Sequence, residues 1–226
     1  MSEKNEYKVD PSWSGMYKAG GISLFAAGVI VFIFLFFVIS LKQTMPMPAL
    51  DVLQNPGPST GLFLLTALGE LLLLPAGLGL YLSLKEIDKN RALLAAAFWA
   101  LVTPMFLVSR GLIISLYEIS AGYLGTADEV MQSAYLASAE LSIETQSIYA
   151  YMGLICLSAG SIIFGLVMLK GIYGRVFGYL VIVAGILTLG TPIGVIIEIP
   201  FIVSFTGVVL GAAWQIIGGI KLYKLS

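Results

Sequence analysis

The chain has 226 residues, 58% of them hydrophobic and only 11% charged, with a mean hydropathy of +0.96. A soluble domain carries about a quarter charged residues, so this balance excludes that class and points into a membrane. A net charge of −1 offers no basic field for nucleic acid. With no histidine anywhere, His-based general bases, Ser-His-Asp and Cys-His pairs, haem ligation by His and the usual zinc and copper sites are removed.

In chain order, a polar N-terminal segment (1–16) precedes the first of six long apolar stretches. A hydrocarbon core of about 30 Å needs roughly 20 apolar residues per helix. The stretches at 22–41, 61–84, 92–117, 147–169, 176–197 and 201–220 each come close to that length. The first is too long for a signal-peptide core and no small-residue cleavage site follows it, so it is expected to be retained. The lone Cys156 has no internal disulfide partner and reads as a small buried hydrophobe.

The loops set an orientation. Lys4, Lys8 and Lys18 precede the first stretch, and Lys85, Lys89 and Arg91 join the second to the third. Lys170 and Arg175 join the fourth to the fifth, and Lys221 and Lys224 follow the sixth. The alternate loops carry almost no positive charge, Lys42 being the exception, so the positive-inside rule puts both termini in the cytoplasm. The expected fold is all-α: a single six-helix transmembrane domain over 1–226, with a short outer amphipathic helix between spans three and four.

Two outer segments differ in character. Residues 43–60 are proline-punctuated, with room for one helical turn at 49–54 and N-caps at Ser59 and Thr60. Residues 119–146 are acidic, with Asp128, Glu129, Glu140 and Glu144 and no Lys or Arg. Thr126 to Glu129 fits a capping box, which predicts a separate helix over 127–141. Its lack of a basic face suits a cap over the bundle or a docking face better than a lipid anchor.

Helices in lipid associate through close backbone approach at small residues. Gly207 and Gly211 share a Gly-x-x-x-Gly spacing with Gly218 further along, Ser161 and Gly165 form a similar pair, and so do Gly190 and Gly194. The plain reading is packing within the monomer, and the alternative is an interface between copies or with a partner. Tyr17, Tyr81, Tyr173, Tyr179 and Tyr223 fall near inner ends of the spans, and Tyr117, Tyr123, Tyr149 and Tyr151 near outer ends, as interfacial belts do. Pro75, Pro104 and Pro192 interrupt three stretches and are candidate kinks. Pro75-Ala-Gly77 and Pro192-Ile-Gly194 would match in an inverted repeat, although two independent kinks explain them as well.

Glu70 and Arg110 are the sharpest feature. A charge inside a membrane is costly, so it normally faces the bundle and finds a partner. Glu70 lies 15 residues before Lys85 and Arg110 lies 19 after Arg91, or about 22 and 28 Å from the inner surface at 1.5 Å per residue. Both therefore fall in the outer half, within reach across antiparallel neighbours. The structural reading is an ion pair locking two helices; the functional reading is an ion or proton site, or an anionic ligand on Arg110. Glu118 could join them or belong to a solvated rim. Glu198 is a surface residue if the chain turns beside Pro200, and lies deeper if it turns at 190–194. Scattered glutamates make a poor metal site, so no metal and no cofactor are expected.

The span count, Arg110 late in the third stretch, the polar run before the fourth and the ending LGAAWQIIGGIKLYK resemble a known family. Its members are small prokaryotic six-helix membrane proteins catalogued only as a domain of unknown function. The resemblance covers most of the chain, and it implies a prokaryotic plasma membrane and no established activity. Members tend to carry Arg followed closely by Glu in the third helix; here Arg110 and Glu118 stand eight apart.

No nucleophile–base pair can be named, which argues against an enzyme. The expected function is a non-enzymatic integral membrane protein, a structural or accessory subunit or a binding scaffold. The alternative is a small transporter or ligand carrier using Glu70 and Arg110. The expected partners are membrane lipid and either another protein or a second copy of the chain.

Overall fold

The computed structural model describes residues 9–40 and 48–226, the side chains of 58–60 excepted. Lys4, Lys8 and Lys42, and the caps expected of Ser59 and Thr60, lie outside the described residues. The described chain is helical, with no strand. A 3-10 turn (Pro11–Trp13) leads into α1 (Ser14–Ser40) and is followed by α2 (Ala49–Gln54), α3 (Gly57–Gly125) and α4 (Glu129–Met168). The remaining helices are α5 (Arg175–Thr188), α6 (Gly190–Ile193) and α7 (Phe201–Tyr223). Five helical segments are long and apolar enough to cross a membrane.

The 69 residues of α3 are not one rod. Asp88 has extended backbone (φ −156°, ψ 90°) in an otherwise helical run. Its side chain accepts a hydrogen bond from the Arg91 backbone N–H at 3.1 Å, as an N-cap does, and pairs with the Arg91 guanidinium at 3.5 Å. A second helix therefore starts at Asp88 with no intervening loop. The two limbs fold back on each other: Glu70 meets Arg110, the Thr103 hydroxyl donates to the Glu70 carbonyl at 3.0 Å, and Gly77 lies against Trp99.

The helices close into a ring. α1 packs on α7 and on the first limb of α3; α3 packs on α4, α4 on α5, and α5 on α7. Trp99 stands at the centre, fully buried, edge-on to Phe164 of α4 and tilted against Trp214 of α7. Small residues let the rods approach. A Cβ on Gly21 would stand 2.6 Å from the Tyr223 nitrogen, one on Gly219 would stand 2.5 Å from the Phe25 nitrogen, and one on Gly28 would stand 2.8 Å from the Ala212 carbonyl oxygen. Gly165 and Gly178 make the same kind of contact between α4 and α5.

Several expectations are corrected. Residues 129–168 form one helix of 40 residues, about 60 Å long and twice the hydrocarbon thickness, so the helix expected over 127–141 is not separate from the helix of the fourth apolar stretch. Between Glu129 and Met152 there is neither Gly nor Pro to stop it. Its cap is Asp128, whose carboxylate accepts from the Val130 N–H at 2.8 Å; Thr126 caps only the Asp128 N–H. The helix of the third stretch continues to Gly125. Beyond Arg110 and Gln146, α3 and α4 thus run on as a hairpin with its own core of Ile113, Leu116, Ala139 and Ile143. The short α2 braces it through Val52 and Leu53, and the Ser120 hydroxyl donates to the Leu53 carbonyl at 2.5 Å.

The fifth stretch also differs. α5 stops at Thr188, whose hydroxyl turns back to the Ala184 carbonyl, and the four residues of α6 end at Ile193, not 197. Tyr17 and Tyr173 are not belt residues but core, the Tyr173 hydroxyl sharing a 2.9 Å hydrogen bond with Ser83.

The glycine seam gives a direct expectation. Gly219→Val drives a branched side chain into the α1 backbone and should lower stability in detergent by about 1–3 kcal/mol, as overpacking does. Gly211→Ala meets open space and should leave the melting temperature unchanged.

Candidate ligand site at the Glu70–Arg110 pair

Glu70 projects from the first limb of α3 and Arg110 from the second, and the hairpin at Asp88 brings them together. The Arg110 Nη2 and Nε atoms both donate to one carboxylate oxygen, Oε1, at 2.6 and 3.0 Å. The guanidinium also lies over the Phe63 and Phe106 rings, at 5.1 and 5.6 Å from their centres. Such stacking suits a planar, weakly hydrated cation taken out of water. Glu70 is 7% exposed and its second oxygen, Oε2, is buried with no hydrogen-bond partner. Oxygens in low dielectric rarely go unpaired, and each such atom calls for an explanation.

Beside the pair lies a cavity of about 280 Å3, just below the range of roughly 300–1,000 Å3 common for small-molecule sites. Its walls come from α1, both limbs of α3, α4, α5, α6 and α7, and they are mainly apolar: Ile30, Val31, Phe34, Leu73, Leu154 and Val208 contribute. The polar wall groups are Glu70, Arg110, Gln215, Thr66, Thr188 and Thr191. Gln215 is 5% exposed, and its side-chain oxygen is the second buried acceptor in this wall with no partner. Two of these threonine hydroxyls are already spent on their own helices, Thr66 on the Phe63 carbonyl and Thr188 on that of Ala184.

The other sequence candidates are placed as follows. Glu118 is exposed and makes no ion pair among the described residues. Glu198 is exposed in the segment between α6 and α7. Helical backbone runs through Pro75 and Pro104 without a break, whereas Pro192 follows the interruption at Leu189. Gly207 packs on the α5 backbone at Leu187, Gly218 on Phe177 and Gly190 on Ser204; Ser161 is buried in α4. Gly194 meets the carbonyls of its own turn and, at 3.9 Å, Ile199. Gly211 meets nothing within 4 Å and lines the cavity instead. Among the described residues no three His, Cys, Asp or Glu side chains converge.

Sequence reasoning missed Gln215, Phe63, Phe106 and Thr103, and the seam residues Gly21, Gly28 and Gly219. Gln215 did carry a signal, as an uncharged polar side chain inside the apolar run AAWQIIGG. The stacking phenyl rings carried none, because phenylalanine in a membrane helix is unremarkable.

These features define a helical membrane protein with a buried ion pair on the wall of a small cavity. The chain belongs to the family of the domain of unknown function DUF4386, whose model matches residues 21–221. No curated protein and no solved structure matches it.

The pair makes a sharp expectation for stability. Glu70→Gln or Arg110→Ala strands the other buried charge and should cost about 3–5 kcal/mol in detergent unfolding. The double replacement Glu70→Leu with Arg110→Met should recover most of that loss, because it removes both desolvation costs together.

Proposed function

We propose that this protein is a non-enzymatic binding scaffold of the membrane, which holds a small ligand in the cavity beside Glu70 and Arg110. One observation carries the reading: a mainly apolar cavity within the helix ring, walled by two buried residues that each keep an unpaired acceptor. A purely architectural ion pair needs no cavity beside it. No nucleophile–base pair lies in the wall, so binding rather than chemistry is the reading the groups support.

The same proposal includes six spans, the limbs of α3 counting separately, with both termini on the cytoplasmic side of a prokaryotic plasma membrane. Support comes from the basic end of the bundle. Lys85 lies over Trp13 at 5.4 Å, and Lys221 donates to the Tyr173 carbonyl at 3.2 Å, so the α1 start, the α3 turn, the α4–α5 turn and the α7 end meet there. Residues 111–169 carry no Lys or Arg, as suits an outer hairpin.

A second reading, an accessory subunit that docks a partner or another copy of the chain outside, is favoured by that hairpin. It exposes Glu118, Asp128, Glu129, Glu140 and Glu144 together with apolar Leu124, Val130 and Leu141. A transporter using the same pair has weaker support, since the helix persists through Pro75.

Native mass spectrometry of protein extracted gently from its own membrane separates these readings. The scaffold predicts a lone chain carrying a reproducible small molecule whose mass disappears in Arg110→Ala. A stoichiometric additional polypeptide and no small molecule would favour the subunit instead.

A further inference from the structure

The cavity wall also says what kind of ligand it takes and from where. Charge comes first. Glu70 and Arg110 already neutralise each other at 2.6 Å, so a charged head group would leave a net charge in low dielectric, at a high desolvation cost. A neutral head is favoured. Hydrogen-bond sense comes second. Glu70 Oε2 and Gln215 Oε1 are both acceptors without partners, so the head must donate. Of the Arg110 N–H groups, the one on Nε and one on Nη2 go to Glu70, which leaves those on Nη1 and the second on Nη2 to donate to an oxygen. A hydroxyl donates and accepts at once, whereas a ketone or an ether only accepts.

The route follows from the α1–α7 seam. It is tight from Gly21 against Tyr223 to Gly28 against Ala212. One turn further on it parts: Val31 and Phe34 of α1 and Val208 and Gly211 of α7 line the cavity instead. No residue of α1 beyond Gly28 is buried, and a Cβ at Gly211 would meet nothing within 4 Å. The opening therefore lies between two apolar helix faces, in the half of the bundle away from Lys85 and Lys221.

Building on the scaffold reading, we infer that the ligand is a neutral hydroxyl-bearing amphiphile. It slides from the lipid phase between the far halves of α1 and α7, its one hydroxyl hydrogen shared between the Glu70 and Gln215 oxygens in a three-centre bond, its oxygen accepting from Arg110, and its chain lying along Ile30, Val31 and Leu154.

Photolabelling in phosphatidylethanolamine–phosphatidylglycerol vesicles tests this, using a diazirine-bearing long-chain primary alcohol, its methyl ether and the corresponding carboxylic acid. The alcohol should mark cavity residues about tenfold more than either analogue, the worth of one good hydrogen bond. Gln215→Leu should shrink the alcohol's advantage over the ether, while Gly211→Trp should block all labelling there and Gly211→Ala should not. Equal labelling by alcohol and ether, or preference for the acid, would overturn the head-group assignment while leaving a binding cavity. Undiminished labelling in a folded Gly211→Trp would overturn the route. If no probe marks the cavity of the native protein, the scaffold reading falls with it.

Discussion

The Glu70–Arg110 pair is the constraint to which the rest of the structure answers. Two charges buried among apolar helices are costly apart, which favours limbs of α3 that lie side by side with Glu70 facing Arg110. The turn at Asp88 supplies that register at no cost in loop length, since its carboxylate caps the second limb directly. Once the limbs are aligned, Trp99 is delivered to the centre, where α4 and α7 close on it. The ion pair is weak evidence for net stability, because desolvation offsets much of its attraction. Its value lies in specificity: of the ways to pair six apolar stretches, few bring Glu70 to Arg110.

The rest of the packing follows membrane rules. With lipid as apolar as the side chains, contact between helices depends on shape. The glycine seam between α1 and α7 is tight where Gly21, Gly28 and Gly219 remove side chains, and it opens where α1 changes to Val31 and Phe34. Closed seam and open cavity are thus two outcomes of one sequence change along a helix pair. Glu70, Arg110 and Gln215 line the cavity that begins where the seam opens.

Much of this was legible in the sequence, and what was not has physical reasons. The apolar stretches and their basic loops stand out because lipid imposes length and charge rules on each segment separately. Glu70 and Arg110 could be matched by counting residues to Lys85 and Arg91, since the helical rise is fixed. The continuity of α4 was hidden by its polarity: Ser138 and Glu140 read as part of a separate outer helix over 127–141 and Glu144 as the link beyond it, although Ala, Leu and Glu extend a helix well once Ala139 and Ile143 find Ile113 and Leu116. Gly211 illustrates the other limit. Its spacing from Gly207 suggests a packing motif, yet only Gly207 meets a neighbouring backbone. The cavity was illegible because its walls come from six helices, and no single segment records it.

The most direct measurement is solid-state NMR of the protein in lipid bilayers, recoupling the Glu side-chain carboxyl carbon to the Arg guanidinium nitrogens. Hydrogen bonding between Glu70 and Arg110 predicts a carbon–nitrogen separation of roughly 3–4 Å, lost in Arg110→Lys. No short coupling in the native protein would mean that the two charges do not pair in the membrane, and the site built around them would not stand.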